Sequence, residues 1–333
     1  MKHVTADQVA ARAGVSRSAV SRTFTKNASV SPATQEKVIK AAKELGYRPN
    51  GLASRLAKGT SNIVAIITNS NPDLRRPYLI HRLNEALQGL DLVPYVICVD
   101  GDDYHGTETL ERTIQMPLST AIVAADAVTG AQIAPFCISS PPIMLNENFA
   151  QDDLVNVVRV DEAAGFAQMI RFLATQKVRT MWLIAARRSS SAFSSRNAAL
   201  HEALAFSDIR LIDKDVGDFN YEGGWAAFER LFGRGPLPDC LFCANDAMAM
   251  GAMDAARFKF GLTLPEDLLI IGFDDIPQAA WPTYCLSTIR QGIGDTVAAI
   301  MEVIEAGGSD KMQMSRSVRT VPTTFVPRAT RDT

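Results

Sequence analysis

The chain has 333 residues, 47% of them hydrophobic, with 34 Lys and Arg balanced by 36 Asp and Glu for a formal net charge of −2. That length and apolar content suffice for two buried cores and exclude a disordered or fibrous chain. No apolar run reaches the roughly eighteen residues of a membrane-spanning helix, so a membrane partner is not expected.

The first element is predicted to start at Thr5. Gln8, three residues on, completes a capping box, and Val9, Ala10 and Ala13 fall at helical spacing as the buried stripe. Gly14 is suited to the left-handed conformation that ends a helix, and Ser16 to capping a second one whose apolar face is Val15, Ala19, Val20 and Phe24. Two short helices around a glycine turn make a helix-turn-helix, in which the second helix enters a DNA major groove. Arg17, Ser18, Ser21 and Arg22 lie opposite the apolar stripe of that second helix. Arginine there can bond guanine O6 and N7 with both arms of its fork. Ser31 and Pro32 start a third helix with Val38, Ala41, Ala42 and Leu45 inward; Gly46 ends it, and Tyr47 packs the small core.

Charge agrees with this reading. Residues 1–60 hold eleven Lys and Arg against three acids, a net +8, which leaves −10 for the rest of the chain. A basic head displaces counterions from a polyanion and an acidic body is repelled by it, so double-stranded DNA is expected to meet the head alone. Residues 51–58 make a helical segment too short to be stable by itself.

From Ser61 the texture turns α/β. Apolar runs at Ile63–Ile67, Val93–Val99, Ala121–Ala125, Pro142–Leu145, Met181–Ala185, Cys240–Cys243 and Leu268–Phe273 alternate with helix-compatible stretches, the pattern of parallel sheets covered on both faces. Ligands of such sheets sit at the carboxyl ends of strands, where this chain places Asn69 to Asn71, Asn146, Arg187 and Arg188, Asn245-Asp246 and Asp274-Asp275.

The blocks Val9-Ala-Ala-Arg-Ala-Gly-Val-Ser16, Val20-Ser-Arg22, Val30-Ser-Pro-Ala-Thr34 and Leu45-Gly-Tyr-Arg-Pro-Asn50, in that order and spacing, resemble the head of the lactose repressor (LacI/GalR) family of bacterial transcription regulators. The resemblance implies an all-α helix-turn-helix head (1–49), a hinge helix or linker (50–60) and a periplasmic-binding-protein-like α/β body with two lobes. The amino lobe would be 61–160 with 292–321, and the carboxyl lobe 161–291 with 322–333. It implies a homodimer on a palindromic operator. Arg17, Ser18 and Arg22 would read base edges, and Thr5, Ser16, Ser21 and Asn50 would hold phosphate or sugar. Leu56 would wedge between base pairs in the minor groove, with Ala53 allowing close approach. It also implies an effector between the lobes, a sugar, sugar acid or related molecule, near Asn71, Asn146, Arg196, Phe219, Asn245 and Asp274. Gly272-Phe-Asp-Asp275 resembles the family signature whose first Asp bonds ligand hydroxyls, and Gly217-Asp-Phe219 the loop whose ring stacks on the effector.

Departures occur at Asn71-Pro-Asp-Leu-Arg-Arg-Pro-Tyr78, where relatives commonly read Asn-Pro and two aromatics, and at Ala199, where they carry glycine. Arg75 and Arg76, with Arg187, Arg188 and Arg196, raise the alternative of an anionic effector. Five cysteines, an odd number set in apolar runs, read as reduced buried thiols. Cys240-Leu-Phe-Cys243 is not a metal site, since strand neighbours three apart face opposite sides and no second pair has ligand spacing. No nucleophile elbow, phosphate loop or histidine metal motif is present, so neither an enzyme nor a cofactor is expected. The alternatives are a solute-binding protein with the same body, which would need an export signal in place of the basic head, and a corepressor-dependent regulator answering to a purine or a protein. Without an export signal the chain is expected in the cytoplasm. The segment from Thr323 to Thr333 lacks a leucine heptad, favouring a dimer over a tetramer.

Overall fold

The computed structural model describes residues 4–25, 28–49, 59–69, 73–99, 106–145, 155–186, 191–308 and 316–330. Two compact units emerge, Met1–Thr60 and Ser61–Thr333.

In the first unit, α1 (Ala6–Ala13), α2 (Arg17–Thr23) and α3 (Pro32–Leu45) close on Val9, Ala10, Val20, Val38, Ala41 and Ala42. The turn between α1 and α2 depends on Gly14, which sits at φ 66°, a region a side chain rarely occupies. Thr5 and Gln8 form the reciprocal capping box, Ser16 and Ser31 cap α2 and α3, and Gly46 ends α3, all as predicted. Tyr47 packs on Phe24 with ring centroids 5.8 Å apart, although Phe24 stays more exposed than its stripe position suggests. Arg12 ties α1 to α3 through Glu44 at 2.7 Å.

In the second unit, eleven strands among the described residues form one sheet. They are β1 (Ile63–Asn69), β2 (Val93–Val99), β3 (Thr120–Ala124), β4 (Ile143–Met144), β5 (Asn156–Asp161), β6 (Thr180–Ala185), β7 (Arg210–Val216), β8 (Cys240–Cys243), β9 (Leu269–Asp274), β10 (Ser287–Gln291) and β11 (Val318–Val326). Their order is β2-β1-β3-β4-β5-β11-β10-β9-β8-β6-β7, parallel throughout except β10 with β11. The sheet changes character along β11. Val318 to Pro322 pair in parallel with β5, and Thr323 to Val326 pair antiparallel with β10.

Each half of the sheet carries helices on both faces. In the first half, α4 (Arg75–Gly89) and α11 (Ile293–Gly308) pack on one side, and α5 (Gly106–Thr113) and α6 (Gly130–Ile133) on the other. In the second half, α7 (Glu162–Thr175) and α8 (Ser191–Ala205) oppose α9 (Tyr221–Phe232) and α10 (Asp246–Asp254). The chain passes between halves where Thr323 donates its hydroxyl to the Asp161 carbonyl at 2.8 Å and accepts from the Gly165 amide at 2.9 Å.

Cys240 and Cys243 face opposite cores. The expectation of uniformly buried thiols fails at Cys98 and Cys285, both exposed, because β2 is an edge strand with an uncovered face and Cys285 lies in a turn after Trp281. Among the described residues no helix is long and apolar enough to cross a membrane, and no group of three His, Cys, Asp or Glu is placed to hold a metal.

Candidate nucleic-acid interface and candidate ligand site

The amide of Ala19 donates to the Ser16 hydroxyl at 3.3 Å, which fixes where α2 begins. At 100° per residue Arg17, Ser18, Ser21 and Arg22 then share one arc of about 140°, opposite buried Val20. All four are exposed. Arg17 has only a 3.7 Å ion pair with Asp7, open to water on both sides and therefore weak. Arg22 has no ion pair among the described residues. Thr5 and Ser16 are occupied as helix caps through their oxygens, and Ser16 also shares a 2.8 Å hydrogen bond with Ser18. Asn50, Ala53 and Leu56 lie outside the described residues.

In the second unit Asp274, one of the polar residues predicted at strand ends, meets Arg196 on α8. The arginine residue is 8% exposed. Its Nη1 donates to the Ala244 carbonyl at 2.6 Å and its Nη2 to Asp274 Oδ1 at 3.3 Å. Nε lies 3.4 Å from Glu162 Oε1, and the guanidinium stacks 4.0 Å over the Phe273 ring. Asp274, at the end of β9, also accepts from Gln291 Nε2 at 2.7 Å. Burial lifts its carboxyl to about 6 against the pull of Arg196. Asp274 and Asp275 both have positive φ, 119° and 57°, backbone strain of the sort held where geometry matters. Asp275 is spent on structure, accepting from Arg290 and Arg328 at 2.6 Å each.

Asn245 is likewise employed. Its Oδ1 caps α10 through the Met248 amide and its Nδ2 donates to the Phe219 carbonyl, both at 2.9 Å. It thereby holds Phe219 at φ 59°, with the ring partly buried against the second-half core. Asp246 is fully buried, accepting from the Ile276 amide at 2.9 Å and Thr288 at 2.6 Å, and burial pushes its carboxyl well up.

The amino-terminal half contributes Asn69, which ends β1, and the residues that open α4. Burial lowers the Arg75 guanidinium below its usual value, while Asp274 and Asp73 raise it and Arg196 lowers it further. Arg76 reaches the Asn69 carbonyl at 3.3 Å and Asp73 at 4.0 Å. Asn71, Asn146, Arg187 and Arg188 lie outside the described residues. Sequence reasoning missed Glu162 and assigned no site role to Gln291. Glu162 follows Asp161, the cap of α7, and only the fold brings it to Arg196.

A family model described as bacterial regulatory proteins, lacI family, matches residues 5–50, and a periplasmic binding protein-like domain matches 170–331. The HTH-type transcriptional regulator GalS of Salmonella typhimurium is 28% identical over 327 residues, covering 96% of this chain and 94% of that protein. The HTH-type transcriptional repressor CytR of Escherichia coli is 28% identical over 86% of this chain and 84% of its own length. Among solved structures, the Lac repressor dimer bound to operator and the anti-inducer ONPF has the same fold, with a TM-score of 0.84, 24% identity and 99% of each chain covered.

Proposed function

The chain belongs to the LacI/GalR family of DNA-binding transcription regulators, and from that premise we propose that it is a homodimeric repressor whose hold on a palindromic operator is set by a small sugar or sugar derivative bound in the second unit. In this reading α2 enters the major groove, where Arg17, Ser18 and Arg22 read bases while Thr5, Ser16, Ser21 and Asn50 contact the backbone. Leu56, beside Ala53, bends the duplex from the minor groove. The observation that carries the DNA reading is the exposed arc of α2, whose two arginines have no strong partner of their own on a head of net charge +8.

The effector would lie among Asn71, Asn146, Arg196, Phe219, Asn245 and Asp274, and can shift operator affinity only by binding two conformations unequally. The second copy would dock on the carboxyl-terminal half, where Phe258 and Trp281 are 77% and 53% exposed and Arg257 donates to the Thr283 carbonyl at 2.7 Å, joining their two segments. Selection of duplexes from a randomised pool by the full-length chain tests the DNA reading. A palindrome should emerge with wild type and not with Arg22→Ala, which keeps salt-dependent non-specific binding. Recovery of no common site would contradict it.

A further inference from the structure

Among the described residues the charges around Arg196 sum to zero, yet they do not all pair. Three acids and three arginines meet there: Asp73, Glu162 and Asp274 with Arg75, Arg76 and Arg196. Arg196 takes both Glu162 and Asp274, and Arg76 takes Asp73. Among the described residues this leaves Arg75 without an ion pair, and its Nε is buried without a hydrogen-bond partner. Burial draws its guanidinium below the usual value while Asp274 and Asp73 hold it up. Two more buried atoms here lack hydrogen bonds, on residues only 8% and 6% exposed: Arg196 Nε, which faces Glu162 Oε1 at 3.4 Å as an ion pair, and Asn69 Oδ1, which has no such partner.

These atoms differ in what they can bond. Arg75 Nε is a guanidinium donor and seeks an acceptor; Asn69 Oδ1 is an amide oxygen and seeks a donor. A neutral sugar supplies hydroxyls to Asn69 but leaves the unpaired charge of Arg75 in place, whereas a planar guanidinium matches the oxygens of a carboxylate or phosphate.

Building on the effector reading above, we propose that the ligand of this site is a hydroxylated carbon chain bearing a carboxylate or phosphate, with the anionic group held by Arg75 and hydroxyls by Asn69, Arg196 and Asp274. Arg75 is thus the residue that selects acid over neutral sugar.

Calorimetric titration of the full-length protein tests this with matched sets of hexoses and pentoses, their uronic and aldonic acids, and their phosphates. At least one acid or phosphate should bind about tenfold or more tighter than its neutral parent, and Arg75→Gln should abolish that preference. Arg76→Gln, which loses a residue already paired with Asp73, should retain it. The acid and phosphate arms tell which anion is preferred. A neutral parent that binds as well as its acid overturns the proposal without needing any variant. So does a preference that survives Arg75→Gln, or no binding by any acid or phosphate. Failure of the effector reading shows differently, as a ligand that binds and leaves operator affinity unchanged.

Discussion

At the scale of single residues, the head was legible because its caps are local. Thr5, Gln8, Gly14 and Ser16 act on neighbours within four positions, so their roles follow from spacing alone. The cluster around Arg196, proposed to hold the ligand, was only half legible. Arg196 and Asp274 were reached through family signatures, but Glu162, Gln291 and the unpaired state of Arg75 arise from contacts between distant parts of the chain. Asp274 carries a pH prediction. Its carboxyl, facing Arg196, Arg75, Asp73, Gln291 and Asp246, is raised to about 6, mainly by burial. Between the ordinary carboxylate value near 4 and about 6, the folded state keeps a proton that the unfolded chain loses, so this group lowers stability as pH rises through that window. Asp274→Asn has no such titration. Unfolding measured across pH should show wild type losing about 3 kcal/mol at most relative to the variant between pH 4 and 6, and a flat difference would refute the assignment.

At the scale of elements, strands buried on both faces announced themselves as apolar runs, and most bounds differ by a residue or two from expectation. The strand β7 was not legible. It is an edge strand reading Arg-Leu-Ile-Asp-Lys-Asp-Val, half exposed along its length, and its acids serve Arg230 and Arg234 at about 3 Å rather than a core. The pair α9 and α10 packs closely enough that a Cβ at Gly251 would strike the Tyr221 carbonyl and the Trp225 amide. Gly251→Val should therefore cost about 3 kcal/mol, seen as a lower melting temperature of the second unit, and an unchanged melting point would show that the helices can separate. Leu56→Ala should leave the fold of the head alone and reduce operator bending, read by the mobility of duplexes bound at their centre or end. Normal bending would remove the wedge assignment.

At the scale of the whole molecule, charge segregation was visible in the sequence: a head of +8 on a body of −10. The surface proposed for the second copy was not, since the exposed aromatics Phe258 and Trp281 are isolated residues until the fold joins their segments. Phe258→Asp should shift the sedimentation of the chain toward monomer and weaken operator binding more than it weakens ligand binding, because a palindrome rewards two heads held together. A variant that remains dimeric would move the interface elsewhere. The central claim is that ligand and operator sites belong to one equilibrium, and linkage gives it a direct test. Ligand affinity is measured with the full-length protein free and saturated with its selected operator, and operator affinity with and without ligand. The two ratios should be equal, and differ from one by about fivefold or more. A ligand that binds tightly while both ratios stay at one would contradict the account.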